Sequence, residues 1–175
     1  VGIAVATLLF GLLAVAVFAG DTMARVDLAV AGALHQHASP TTIDFFRALT
    51  YLGSEGVIAA GFLFSLGCVV KKRWRALIGW TIALTGGAIF NALLKSLFTR
   101  PRPSFNNPIA TSRGFSFPSG HAMSSWIAAG MLLYFLATVI RDGRRRLAVI
   151  AIALVGCVMI GFSRLVLGVH YLSDV

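Results

Sequence analysis

Lys95-Ser96-Leu97-Phe98-Thr99-Arg100-Pro101-Arg102-Pro103, followed after a polar loop by Phe117-Pro118-Ser119-Gly120-His121, is the stretch around which the chain is organised. From Lys95 to His121 it carries Lys95, Arg100, Arg102 and Arg113 without one Asp or Glu to balance them. Cations that no protein acid neutralises require an anion from elsewhere. On either side lies a long apolar run, and those runs decide the fold.

Of 175 residues, 58% are hydrophobic, and a mean hydropathy of +0.86 lies outside the range of soluble globular domains. The expectation is an all-α integral membrane protein: a six-helix bundle forming a single membrane-embedded domain over residues 1–175, with short amphipathic surface helices after the first span. The net charge of +9 comes in short clusters between apolar runs. With no recognition motif beside them, these clusters exclude a nucleic-acid-binding module. Cys68 and Cys157 fall inside apolar runs, where cysteine behaves as a small hydrophobe, and form no disulfide or zinc pattern. Val1 begins inside an apolar run and Asp174-Val175 stops where another helix is expected, so both ends read as cut and the last span as truncated.

About 20 apolar residues cross about 30 Å of hydrocarbon. Residues 1–20 meet that length. Residues 21–53 interleave Arg25, Asp27, His35, His37, Asp44 and Arg47 with apolar side chains, which predicts two amphipathic surface helices. The second should start after Pro40 with Thr41 or Thr42 as its cap. His35 and His37, two residues apart, face different ways on a helix and read as exposed loop histidines, not metal ligands. Further spans are predicted over 56–70, 76–98, 119–140 and 147–169, with a sixth starting at His170. Gly86-Gly87 should allow close helix contact in the third.

The clusters at 71–75 and 141–146 are two spans apart and hold eight of the 15 Lys and Arg residues. The positive-inside rule makes their side cytoplasmic. The loop carrying Arg100, Arg102 and Arg113 is then extracytoplasmic and breaks the rule, and a broken local rule marks a functional region.

Three groups should meet at that outer end. Lys95 is joined by Arg102, held extended between Pro101 and Pro103 so that its planar fork points back to the bundle mouth. Pro118-Ser119-Gly120-His121 opens the fourth span, with proline in the first turn, a serine hydroxyl donor and a glycine that lets a ligand reach free amides at the positive dipole end. Ser163-Arg164 precedes His170 and Asp174, which share a face if both lie on one helix, so that the carboxylate can fix the imidazole tautomer.

Lys-x6-Arg-Pro, Pro-Ser-Gly-His and Ser-Arg-x5-His-x3-Asp, in this order, resemble the three signature motifs of the type 2 phosphatidic acid phosphatase superfamily, with no departure inside the motifs. The likeness runs from Lys95 to Asp174, and the preceding spans fit the family's six-helix membrane branch. The resemblance implies that His170 attacks phosphorus to form a phosphohistidine, that Asp174 orients it, and that His121 protonates the leaving oxygen and later activates water. It further implies that Lys95, Arg102, Ser119, the Gly120 amide and Arg164 hold the phosphoryl oxygens and that no metal or other cofactor takes part.

A site at headgroup depth favours a phosphate or diphosphate of a lipid over a soluble ester. Undecaprenyl diphosphate, phosphatidylglycerophosphate and phosphatidate are the candidates, hydrolysed at the extracytoplasmic face of the cell (inner) membrane. Aromatic residues Phe45, Phe46 and Tyr51 either border the lipid's access route or anchor the interface. Competing readings are a phosphotransferase that passes the group from His170 to a second lipid, and a non-catalytic phospholipid-binding or transport protein. The vanadate-binding haloperoxidases of the same superfamily are soluble, which the predicted spans oppose.

Overall fold

The structure, a computed structural model, describes residues 8, 10–12, 14–17 and 21–175. The first expected span, over 1–20, therefore lies partly outside the described residues. Its described members are helical, and Phe10, Ala14 and Val17 pack in a cluster with Phe117 and Phe98. After it come α1 (Asp21–His37), α2 (Pro40–Thr50), a 3-10 turn (Tyr51–Gly53), α3 (Glu55–Val70), α4 (Trp74–Phe98), α5 (Gly120–Ala137), α6 (Gly143–Val166) and a second 3-10 turn (Leu172–Asp174). The architecture is all-α, as expected, and the described residues contain no strand.

Among the described residues, four segments are long and apolar enough to cross a bilayer: Pro40–Val70, Trp74–Phe98, Gly120–Ala137 and Gly143–Val166. They turn their large side chains outward. Ile58, Phe62, Ile82 and Ile152 are each more than 60% exposed. A water-soluble domain does not carry apolar surface on that scale, whereas lipid chains solvate it. Against one another α4 packs on α3 and α5, α5 on α6, and α2 on α6, with Trp80 of α4 buried beside Phe64 of α3. The close approach of α4 and α5 uses Gly87, where a Cβ would overlap Ile127 Cδ1, while Gly86 faces open space. Cys68 and Cys157 are both buried and unpaired.

Capping chemistry sets the boundaries and corrects several expectations. α2 is capped by Ser39, whose Oγ accepts from the Thr42 amide with Pro40 in the first turn, so the cap falls before the threonines. α6 begins at Gly143, capped by Asp142 through the Arg145 amide at 2.8 Å, and thus takes Arg144, Arg145 and Arg146 into its first turn. His35 and His37 belong to α1 and not to a loop. The His35 ring stacks on Phe105 with centroids 4.0 Å apart, and His37 Nδ1 lies 2.8 Å from Ala33 O. Phe46 is buried edge-to-face against Phe162, while Phe45 and Tyr51 remain exposed.

The largest departure comes after α6. Gly168 adopts φ 69°, its amide bonds Leu165 O at 2.9 Å, and the Val169 amide bonds Arg164 O at 3.2 Å. This is the paired bonding of a Schellman stop, which needs a left-handed residue, and glycine takes that conformation without a Cβ penalty. The helix ends there. The chain from 167 to 171 is a turn, and no sixth helix starts at His170.

The helix order brings the end of α4, the start of α5 and the end of α6 to one end of the bundle. At the opposite end a cleft of about 340 Å³ is lined by Lys71, Arg73, Thr138 and Val139, which sets the 71–75 cluster beside the end of α5, just before the cluster at 141–146.

Candidate active site

α4 terminates at Thr99, in the left-handed region at φ 46°. A β-branched residue is strained there. The reversal turns Arg100 and Arg102 back over the bundle end, and Ser116 returns beside Arg100, its amide donating to Arg100 O at 2.8 Å. The loop is thereby closed at both ends, and its carbonyls become acceptors for the cations. Lys95 Nζ donates to Phe115 O at 2.8 Å and Ser116 O at 3.3 Å. Arg102 donates through Nε to Gly114 O at 2.9 Å and through Nη2 to Phe115 O at 3.1 Å.

The third donor of Arg102 reaches across the site. Nη1 contacts Val169 O at 2.8 Å and Nε2 of His170 at 3.0 Å. His170 is 2% exposed. Its other nitrogen, Nδ1, stands 3.3 Å from Asp174 Oδ2 and 3.4 Å from Ser116 Oγ. The pair expected on one helix face is therefore made, but by a turn that folds residue 174 back under residue 170. Asp174 Oδ2 also accepts from the Ser116 hydroxyl and from the Tyr171 amide, the latter at 2.8 Å.

Burial pulls the His170 imidazole down to about 4, against the hydrogen bond and charge of Asp174, with Arg102 and Lys95 adding to the pull. The ring is neutral near pH 7. With the Nδ1 proton facing Asp174, Nε2 carries the lone pair, which is the form a nucleophile needs. Burial would raise the Asp174 carboxyl, but hydrogen bonds from His170, Ser116 and Tyr171 and the charge of Arg100 hold it below the usual carboxylate range.

The start of α5 joins the same end. The Ser119 amide donates to Asp174 O at 2.8 Å, tying the helix start to the residue whose carboxylate faces His170. Ser119 is the N-cap, so Pro118 precedes the helix instead of occupying its first turn, and its carbonyl accepts from Asn91. Ser119 Oγ takes the Ala122 amide at a long 3.5 Å through a lone pair, which leaves its hydroxyl proton free to donate outward. A Cβ on Gly120 would meet only Asn91 Oδ1 at 3.4 Å, an ordinary contact, so protein packing does not require glycine there. His121 follows in the first turn. Gly53 makes room beside it: a Cβ there would lie 2.5 Å from Ile160 Cγ2 and 3.5 Å from the His121 ring. Lys95 and Arg102 act electrostatically on both His121 and His170.

Arg164, in the last turn of α6, donates from Nη1 to Thr50 Oγ1 at 2.6 Å, and its buried Nε has no partner among the described residues. A guanidinium held at one end with a donor left over has capacity for another acceptor.

All eight residues singled out in the sequence thus lie on the elements that meet at this end. Others went unnoticed as members of the site. Thr50 holds Arg164, Ser116 bonds Asp174, and Asp27 on α1 bonds Arg100, which in turn bonds Asp174. Their signals were faint. Arg100 is part of the unbalanced cation cluster and Asp27 is an acid on an amphipathic helix, but 73 residues separate the two.

Comparisons with known proteins find a matching family and several relatives of this chain. The family model described as the PAP2 superfamily matches residues 74–175. Phosphatidylglycerophosphatase B of Bacillus subtilis (strain 168) is 30% identical over 179 residues, spanning 98% of this chain and 85% of the relative. A protein of Arabidopsis thaliana named "Probable lipid phosphate phosphatase beta" is 28% identical over 182 residues, spanning 91% of this chain and 84% of that one. Among solved structures, a transmembrane PAP2 type phosphatidylglycerolphosphate phosphatase from Bacillus subtilis superposes with a TM-score of 0.87 at 27% identity, covering 96% of this chain and 84% of the other. LpxE of Aquifex aeolicus superposes with a TM-score of 0.65 at 24% identity over 85% of this chain and 84% of its own, a likeness of fold.

Proposed function

The chain belongs to the PAP2 superfamily, and from that membership we propose that it is a multi-pass membrane lipid phosphatase whose reaction runs through a phosphohistidine on His170. The observation that carries this reading is the neutral, buried His170 standing between Asp174 on Nδ1 and Arg102 on Nε2.

In the first displacement, the Nε2 lone pair bonds to phosphorus as the bond from phosphorus to the lipid oxygen breaks, and His121 gives that oxygen its proton. In the second, His121 takes a proton from water, the hydroxide oxygen bonds to phosphorus, and the P–N bond breaks to restore His170. Splitting hydrolysis this way lets one histidine pair serve both steps. Asp174 keeps the Nδ1 proton in place and offsets the positive charge that develops on the imidazole as Nε2 bonds. Lys95, Arg102, Arg164, the Ser119 hydroxyl and the Gly120 amide hold the phosphoryl oxygens. Phosphoryl transfer gains most from such positioning and charge stabilisation.

The whole of 1–175 acts as one membrane domain in this reading. Basic clusters at the end opposite the site support an extracytoplasmic active site in the cell (inner) membrane by the positive-inside rule. The substrate is a phosphate or diphosphate of a membrane lipid. The name of the Bacillus subtilis relative puts phosphatidylglycerophosphate first in the panel to be tried, ahead of undecaprenyl diphosphate and phosphatidate.

Phosphate release from these three lipids by the purified protein in detergent, with no second lipid added, is the test. His170→Ala should reduce turnover at least about a thousandfold, in keeping with loss of a covalent nucleophile. Unchanged release in that variant would sink the reading, and strict dependence on an acceptor lipid would make the protein a phosphotransferase.

A further inference from the structure

Asp174 does not end the chain of contacts that begins at His170. Its second oxygen, Oδ1, lies 2.6 Å from Arg100 Nη1, and the other arm of the same guanidinium, Nη2, lies 2.6 Å from Asp27 Oδ2. Asp27 is fully buried, and its Oδ1 accepts from the Ser173 amide at 3.0 Å while Oδ2 accepts from the Ser173 hydroxyl. Ser173 Oγ also meets Arg100 Nη1 at 2.8 Å, and the guanidinium lies over the Tyr171 ring, 4.4 Å from its centroid. One arginine and one acid from two distant segments thus hold Asp174 Oδ1 and both the amide and the hydroxyl of Ser173.

We propose that Asp27 and Arg100 are positioning residues for the His170–Asp174 pair, with Arg100 fixing the Asp174 carboxylate and Asp27 preserving its effective negative charge. The proposal rests on the phosphatase reading above, in which His170 is the nucleophile.

Two arguments lead there. Buried ion pairs are poor stabilisers, because desolvation offsets most of their attraction and apolar replacements are often neutral or better. Three charged groups buried together at this end are therefore explained better by what they position than by what they stabilise. The second argument concerns charge. Asp174 must offset the positive charge on His170 as Nε2 bonds to phosphorus, yet a lone Arg100 at 2.6 Å would cancel the carboxylate. Adding Asp27 on the far side of the guanidinium leaves a net charge of −1 on the three groups and returns electrostatic weight to Asp174. The facing charges on the other side of His170, Lys95 and Arg102, are both positive, so the compensation has to come from this side.

A double-mutant cycle tests this with the full chain in detergent, using Asp27→Asn, Asp174→Asn, the double variant and the wild type on the lipid substrate that the phosphate-release panel identifies. Asp27→Asn should lower kcat roughly ten- to a hundredfold, the range seen when the partner that orients a functional histidine is lost, with KM within about twofold. In the Asp174→Asn background the same change should do nothing further, because the group it serves is already neutral. If Asp27→Asn does not purify folded, Asp27→Ser, which removes the same charge while keeping an oxygen that can accept from Ser173, takes its place in the cycle with the same readings. Wild-type kcat in the single variant, a change confined to KM, or an equal loss in both backgrounds would overturn the proposal while leaving the phosphatase reading intact. Full activity in a parallel His170→Ala control would overturn both.

Discussion

Arg102 donates to Nε2 of His170 across 3.0 Å, so the nitrogen proposed to attack phosphorus has a hydrogen-bond partner. A phosphoryl group entering the site offers Arg102 a better, charged acceptor, and the arginine's move onto it releases the lone pair. Arg102→Ala should therefore have two opposite effects. Phosphate release should fall by roughly a hundred- to a thousandfold for the lost transition-state donor. Modification of His170 by diethyl pyrocarbonate, read by peptide mass spectrometry, should become faster. A fall in both would show that Arg102 does not occupy Nε2.

His170 makes the fold sensitive to acid. Its imidazole lies at about 4 in the folded chain against 6.5 for the free group, burial being the chief cause. Above 6.5 neither state binds a proton at this ring. As the pH falls between 6.5 and 4, the unfolded chain takes up a proton that the folded one refuses, and stability drains away, by about 3 kcal/mol over the window. The depressed Asp174 carboxyl works in the same direction at lower pH, its contribution being lost as the pH falls below the ordinary 3.8. Thermal unfolding in detergent at pH 7.5 and 4.5 should thus show a larger drop in Tm for the wild type than for His170→Gln. Parallel drops would mean that this ring is not what titrates.

Arg164 is anchored at Nη1 by Thr50 and keeps a buried Nε without a partner among the described residues. A lysine preserves the charge but presents a single ammonium, which cannot hold the threonine and reach a phosphoryl oxygen in fork geometry. Arg164→Lys should cost at least about tenfold in kcat/KM. Thr50→Val, close in shape but without the hydroxyl, should show a smaller loss of the same kind. Near wild-type rates in Arg164→Lys would indicate that only bulk positive potential matters at this position.

How far the sequence could be read follows from the reach of its signals. Motif residues announce themselves because Lys95, Arg102 and Arg164 are cations beside apolar runs with no acid nearby, and the helices between them follow from run length alone. The caps were misplaced by a few residues because Ser39, Thr41 and Thr42 are all competent, and only backbone geometry chooses Ser39. Asp27 and Thr50 were unreadable as site members because a pairing across 73 or 114 residues leaves no local trace. The turn at 167–171, where a helix was expected to start at His170, has a different cause. Gly168 could have signalled it, since glycine is the usual stop residue, but in a span already containing Gly156 and Gly161 nothing local sets it apart.

That glycine makes the last prediction. At φ 69° Gly168 both ends α6 and aims the following residues into the site, so His170 depends on a backbone conformation that alanine resists. A Cβ there would also lie 3.2 Å from Phe105 Cε2, on the ring that stacks over His35. The left-handed conformation costs a residue with a Cβ about 1–2 kcal/mol, and the Phe105 contact adds to it. The chain can relieve that cost by extending α6, which would carry His170 away from Asp174 and Arg102. Gly168→Ala should therefore lower kcat by more than its drop in Tm explains, because the strain is released at the turn that carries His170. Gly156→Ala, whose Cβ meets nothing within 4 Å in the same helix, should lower neither. Equal behaviour of the two variants would show that the stop at Gly168 is not what positions His170.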